Sequence, residues 1–109
     1  MKKYCPNNLN EVCNICGIDD GSPLKINRVI KDAGSFNEKF HYHKKGYEYY
    51  ILVRGEIMMG VRNESITLIE NEFIRIDPEE PHRIEKILQN AYYFIIKTNS
   101  DPKDKIILE

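Results

Sequence analysis

His41-Tyr42-His43-Lys44-Lys45-Gly46-Tyr47-Glu48-Tyr49-Tyr50-Ile51-Leu52-Val53-Arg54-Gly55 is the stretch whose reading decides the fold. In an extended strand, residues two apart point the same way, so His41 and His43 share a face. Lys44 to Tyr47, with Gly46 among them, reads as a short connection that turns the chain back. Glu48 then opens a run of aromatic and β-branched residues placed to return toward the imidazoles. Two neutral imidazoles and a carboxylate on one wall are the donor set of a first-row divalent metal. A fourth donor has to come from elsewhere, and the one histidine left is His82, in Asp77-Pro78-Glu79-Glu80-Pro81-His82.

The opening stretch reads H-x-H-x4-E-x6-G and resembles the first motif of the cupins. Asn71 to Lys86 resembles the second cupin motif, G-x5-P-x-G-x2-H-x3-N, with Asn71, Asp77, Glu79 and Lys86 where the family has glycine, proline, glycine and asparagine. Asn71 tolerates a left-handed turn almost as glycine does. Gly34 stands one residue further upstream of His41 than the glycine that leads the family's first motif. The resemblance runs from about Arg28 to Lys97. It implies an all-β fold, a small jelly-roll barrel, with His41, His43, Glu48 and His82 as metal ligands and Gly55 as the closing glycine of the first motif. All three histidines of the chain fall on ligand positions.

Length and composition bound the rest. One hundred and nine residues make one domain with a single core. A net charge of -1 gives no general pull toward nucleic acid or an acidic membrane. No apolar run approaches a transmembrane helix and the N-terminus lacks a signal-peptide core, so a cytoplasmic protein is expected. Cys5, Cys13 and Cys16 include a C-x2-C pair, but a closed zinc site needs four ligands and no histidine is spare. Reduced thiols without a second metal are the expectation in the cytosol.

In chain order, residues 1–23 read as a loosely structured arm, 24–98 as the barrel and 99–109 as a tail. Leu24 to Lys31 alternates, with Leu24, Ile26, Arg28 and Ile30 expected on the apolar face. Strands are expected at Tyr47 to Val53, Glu56 to Arg62, Ile66 to Ile69, Phe73 to Ile76, His82 to Leu88 and Ala91 to Lys97. The turns between them fall at Arg54-Gly55, Asn63-Glu64-Ser65, Glu70-Asn71-Glu72, the proline-bounded Asp77 to Pro81, and Gln89-Asn90. Several of these strands are apolar on both faces, which calls for cover from another subunit and predicts a homodimer.

Four ligands would leave open positions on one divalent ion (Zn, Mn, Fe or Ni), as in a catalytic site. The ligand set resembles that of cupin isomerases, lyases and decarboxylases, and equally of cupin dioxygenases. A non-catalytic binding or sensing module would use the same ligands, because fold does not choose function. Tyr50 shares strand parity with Glu48, and Lys86 with His82, while Arg28 points with an apolar face. Those three are the candidate catalytic or substrate-contacting residues, and the two cations favour a carboxylate or phosphate ligand.

Overall fold

Gly55 sits at the centre of the longest pairing in the molecule, and its conformation sets the architecture. The computed structural model describes residues 1, 3, 4, 12–16, 23–99 and 101–108. Cys5 and the side chains of Cys13 and Cys16 lie outside the described residues, and with them the expectation about the thiols. The strands are β1 (Val12–Cys16), β2 (Lys25–Lys31), β3 (Gly34–Ser35), β4 (His41–His43), β5 (Glu48–Val61), β6 (Glu64–Ile69), β7 (Phe73–Ile76), β8 (His82–Lys97) and β9 (Lys105–Ile107). A 3-10 helix at Pro102–Asp104 precedes β9, with Asp101 as its N-cap and proline at its start. All pairings are antiparallel.

Two expected turns lie inside strands. Arg54-Gly55 falls within β5 and Gln89-Asn90 within β8. The two positions face each other, and the register slips there, between Leu52 and Arg54 and again on to Glu56 and Ile57. Gly55 has φ of 98°, in the left-handed region, and a Cβ on it would stand 2.3 Å from the Asn90 carbonyl oxygen. The two strands therefore bend together instead of reversing. On one side of the bend, β7, β5, β8, β2 and β1 lie in order; on the other, β5 pairs with β6 while β8 pairs with β3 and β4, and β4 with β9.

The core lies between the two halves. Tyr50, Leu52 and Tyr93 come from one side of the bend and Ile57, Met59, Ile84 and Ile87 from the other, all at most 2 % exposed. Strand β2 contributes Val29, so its inward face is the one carrying Lys25, Asn27 and Val29. The inward face is thus the opposite of the one the alternation predicts: Ile30 is exposed and Arg28, though buried, lies on the face opposite Val29. Pairing on both edges, with β1 and β8, holds the strand that way round.

Both chain ends join the sheet further than their composition indicates. β1 forms inside the stretch expected as an arm, and β9 pairs with β4 from inside the expected tail. The short connection after His43 does not close a hairpin, because β4 bonds to β8 and β9 and not to β5. Among the described residues, no helix is long and apolar enough to cross a membrane.

Candidate metal centre

The bend brings the ends of the β5–β8 ladder together. Glu48 pairs with Lys97 at one end and Val61 with His82 at the other. A flat strand the length of β5 would hold those ends about 45 Å apart, at roughly 3.3 Å per residue. Instead, His82 Nε2 lies 3.3 Å from Glu48 Oε2. Strand β4 closes the group by pairing His41 with His82. One donor atom from each of His41, His43, Glu48 and His82 lies within 4.8 Å of all the others, and all four residues are buried.

The imidazoles are held from behind. His82 Nδ1 donates to the Glu80 carbonyl at 2.9 Å and His41 Nδ1 to the Lys39 carbonyl at 3.1 Å. Each bond spends the proton on Nδ1 and leaves Nε2 with its lone pair, as a metal-binding histidine requires. His43 Nδ1 stands 3.8 Å from the Asp104 carboxylate, which is itself fixed by the N–H groups of Lys45 and Gly46. His43 Nε2 is 2.5 Å from Glu48 Oε2, yet it is a buried nitrogen without hydrogen-bond geometry to any partner. An orphaned imidazole nitrogen beside a carboxylate, with two more nitrogens converging, fits a divalent cation. Asp104 has no counterpart in either motif, and only the course of the last residues places it behind His43.

Electrostatics point the same way. Burial pushes His41 down to about 4, so its ring is neutral at pH 7. Burial also opposes ionisation of Glu48, but the His43 and His82 rings beside its carboxylate prevail and hold it well below the usual range. Burial lowers His82 as well, and the neighbouring Glu48 more than reverses it, leaving the ring above the usual imidazole value. The four groups share one carboxylate charge among three rings, a state that a bound cation replaces directly.

The loop before His82 departs from the family motif but keeps its backbone. Asn71 and Glu79, which stand where the family has glycines, both have left-handed φ, 71° and 68°. The Glu79 N–H donates to the His43 carbonyl at 2.7 Å, tying this loop to β4.

Of the three further residues singled out from parity, one reaches the cluster. Tyr50 is buried, its ring 6.0 Å from that of His82, and burial with the adjacent Glu48 raises its phenol well above the usual value. Lys86 is exposed, because a register slip between Met58 and Met59 turns both Ile84 and Ile87 inward and breaks the parity with His82. Arg28 lies on the face of β2 turned away from the core. The cations at the centre are others. A cavity of about 200 Å³ opens on His43 and is lined by Lys25, Lys97, Asn99, Asp101, Pro102 and Lys105. A larger cavity of about 810 Å³ contains none of the four converging donors. Its Arg62 is bonded to Glu80 and its Arg83 stacks on Phe40 at 4.2 Å.

No protein-family model and no curated protein matches this sequence. Solved structures do match its fold. Pac13 from Streptomyces, a nucleoside dehydratase, superposes with a TM-score of 0.79 at 13% identity, over 100% of this chain and 92% of its own. A cupin protein from Bacteroides fragilis superposes at 0.70 with 19% identity, covering 94% of this chain and 89% of its own. Oxalate decarboxylase from Bacillus subtilis reaches 0.64 at 15% identity, where 78% of this chain matches 24% of that one. The chain has the cupin fold, as its two motifs imply.

Proposed function

We propose that His41, His43, Glu48 and His82 hold one divalent transition metal, and that the protein is a metal-dependent enzyme of isomerase, lyase or decarboxylase type acting on a small polar molecule. The observation that carries this reading is the convergence of four buried donors with two imidazoles pinned through Nδ1. When bound, the metal would polarise a carbonyl or acidify a water at the open coordination position. The chain's own part is to keep His41 neutral, to orient His43 through Asp104, and to exclude water behind the site with Tyr50, Leu52 and Tyr93. Tyr50, kept protonated by burial and by Glu48 and with its ring 6.0 Å from that of His82, closes the inner side of the site.

Among the fold relatives, one is a nucleoside dehydratase and one an oxalate decarboxylase, which supports lyase or decarboxylase chemistry on small molecules for this scaffold. Elemental analysis of freshly purified protein, with oxygen uptake followed in parallel, tests the reading. One zinc, manganese or nickel per chain without oxygen uptake supports it. Iron with substrate-dependent uptake would move the protein to the dioxygenases. A metal-loaded protein that binds ligands without turning any over would make it a sensing module.

A homodimer belongs to the same reading. Tyr50 and Leu52 face the core, so Tyr49, Ile51 and Val53 face outward on β5, where register aligns them with Phe73 of β7 and with Phe94 and Ile96 of β8. Phe73 is 66% exposed. A second copy presenting the same face covers such a surface by two-fold symmetry, with at least about 1,000 Å² buried in total. Sedimentation should return a dimer that Phe73→Ser weakens; a wild-type monomer at micromolar concentration would overturn it.

A further inference from the structure

We infer that the ligand received by the His41–His43–Glu48–His82 centre is a small oxyanion, a carboxylate or phosphate, held by Lys97 with Lys25 and Lys105 beside it. The inference rests on the metal reading above and names what that centre takes.

Register places the cations. Glu48 pairs with Lys97, and Lys97 pairs on its other side with Lys25. Glu48 shares parity with Tyr50 and Leu52, Lys97 with Ile95 and Tyr93, and Lys25 with Val29, so all three point to the inner face. Lys105 arrives from β9, which is hydrogen-bonded to the histidine strand, with Lys105 opposite His43. The three lysines and His43 therefore wall one cavity.

The carboxylates within reach have other partners: Glu38, whose charge also reaches Lys97 and Lys105, accepts the Ile84 N–H and stands 3.7 Å from His41 Nδ1. Asp101 Oδ1 accepts the Lys103 N–H at the start of the 3-10 helix. Asp104 accepts the N–H groups of Lys45 and Gly46, and Glu48 is engaged by His43 and His82. Among the described residues, no ion pair joins Lys25, Lys97 or Lys105 to an acid. Lys97 is half-buried; burial lowers its pKa against the pull of Glu48, and Lys25 and Lys105 lower it further. Three ammonium groups against the one carboxylate of Asp101 leave the cavity wall net positive, and a small anion there balances the excess.

Size narrows the class. Drug-sized ligands occupy cavities of roughly 300–1,000 Å³, and this one holds about 200 Å³. Uridine, present in solved complexes of the fold relative Pac13, is neutral and brings no negative charge to three ammonium groups. A compact anion answers both the volume and the charge, with one oxygen directed to Lys97 and another toward His43 and its neighbours.

Calorimetric titration of the zinc-loaded protein at low ionic strength with malonate, inorganic phosphate and uridine tests this, with metal content measured in every sample. Wild type should bind malonate or phosphate and not uridine; whichever of the two binds tighter identifies the source. Lys97→Gln should weaken that anion at least about tenfold, roughly 1.4 kcal/mol, at unchanged metal content, and Lys97→Arg should keep most of the affinity. Loss of the anion in Lys97→Gln without loss of metal also excludes a general structural effect. Equal affinity in wild type and Lys97→Gln, or preference for uridine, overturns the inference while leaving the metal reading intact. A folded chain that takes up no metal overturns both.

Discussion

The middle of the β5–β8 ladder and its two ends are built of different materials. At the middle stand Leu52, Gly55, Ile57, Ile87 and Ala91, four apolar residues packed in the core and a glycine that permits the bend. At the ends stand Glu48, Lys97 and His82, polar groups that the bend carries into contact with one another and with β4. Apolar burial stabilises by about 25 cal/mol per Å², whereas a buried charge costs free energy unless it is paired. Folding stability is thus concentrated at the bend, and the ends carry a polar cluster that the rest of the fold must hold in place. The lesson is that the site is made by a backbone feature remote from it.

The sharpest way to break this contrast is at Gly55. A side chain there meets the Asn90 carbonyl and must adopt a left-handed conformation that a β-branched residue resists. Gly55→Val should cost at least about 2 kcal/mol and lower both thermal stability and metal uptake, since the ladder ends no longer meet. Gly34 is the comparison: its φ of 152° also strains an L residue, but nothing lies within 4 Å of a Cβ there, so Gly34→Ala should carry the backbone strain alone and cost less than Gly55→Val. Calorimetric unfolding of the two variants ranks them, and equal costs would detach the bend from the site.

A smaller effect separates the ends in metal-free protein. His41 is depressed to about 4, so its contribution is present above the usual imidazole value of 6.5 and is lost as pH falls through about 4. His82 is raised, so its contribution is full below 6.5 and is lost as pH rises through its folded value. The metal-free protein should therefore be most stable near pH 6.5. Histidine ring resonances followed by NMR should show His82 taking its proton before His41 on acidification. The reverse order would contradict the environments described for the two rings.

Much of this was legible in the residues. The H-x-H pair, Glu48 and His82 sit at motif offsets, and period-two alternation with turn signals marks an all-β chain. Position along the chain could not show that Arg54-Gly55 and Gln89-Asn90 bend strands instead of ending them. Both pairs carry ordinary turn chemistry, and only their pairing across the ladder distinguishes a bulge from a reversal. Parity failed at Lys86 for the same reason, since one register slip flips every residue beyond it. It failed at Arg28 because, of the two faces from Leu24 to Lys31, the one with more apolar residues (Leu24, Ile26 and Ile30) is not the one whose Val29 joins the core. Lys97 and Asp104 lie far from either motif, and tertiary closure alone brings them to His43 and Glu48.

One bent ladder and one short strand gather four buried donors within 4.8 Å of one another, and the proposed metal depends on all four. Metal content of the folded His41→Ala/His43→Ala double variant, measured beside wild type after both are offered zinc, manganese and nickel and then desalted, tests it most directly. Wild type should hold one ion per chain and the variant almost none, with circular dichroism still reporting a β fold. Undiminished metal in the folded double variant would contradict it.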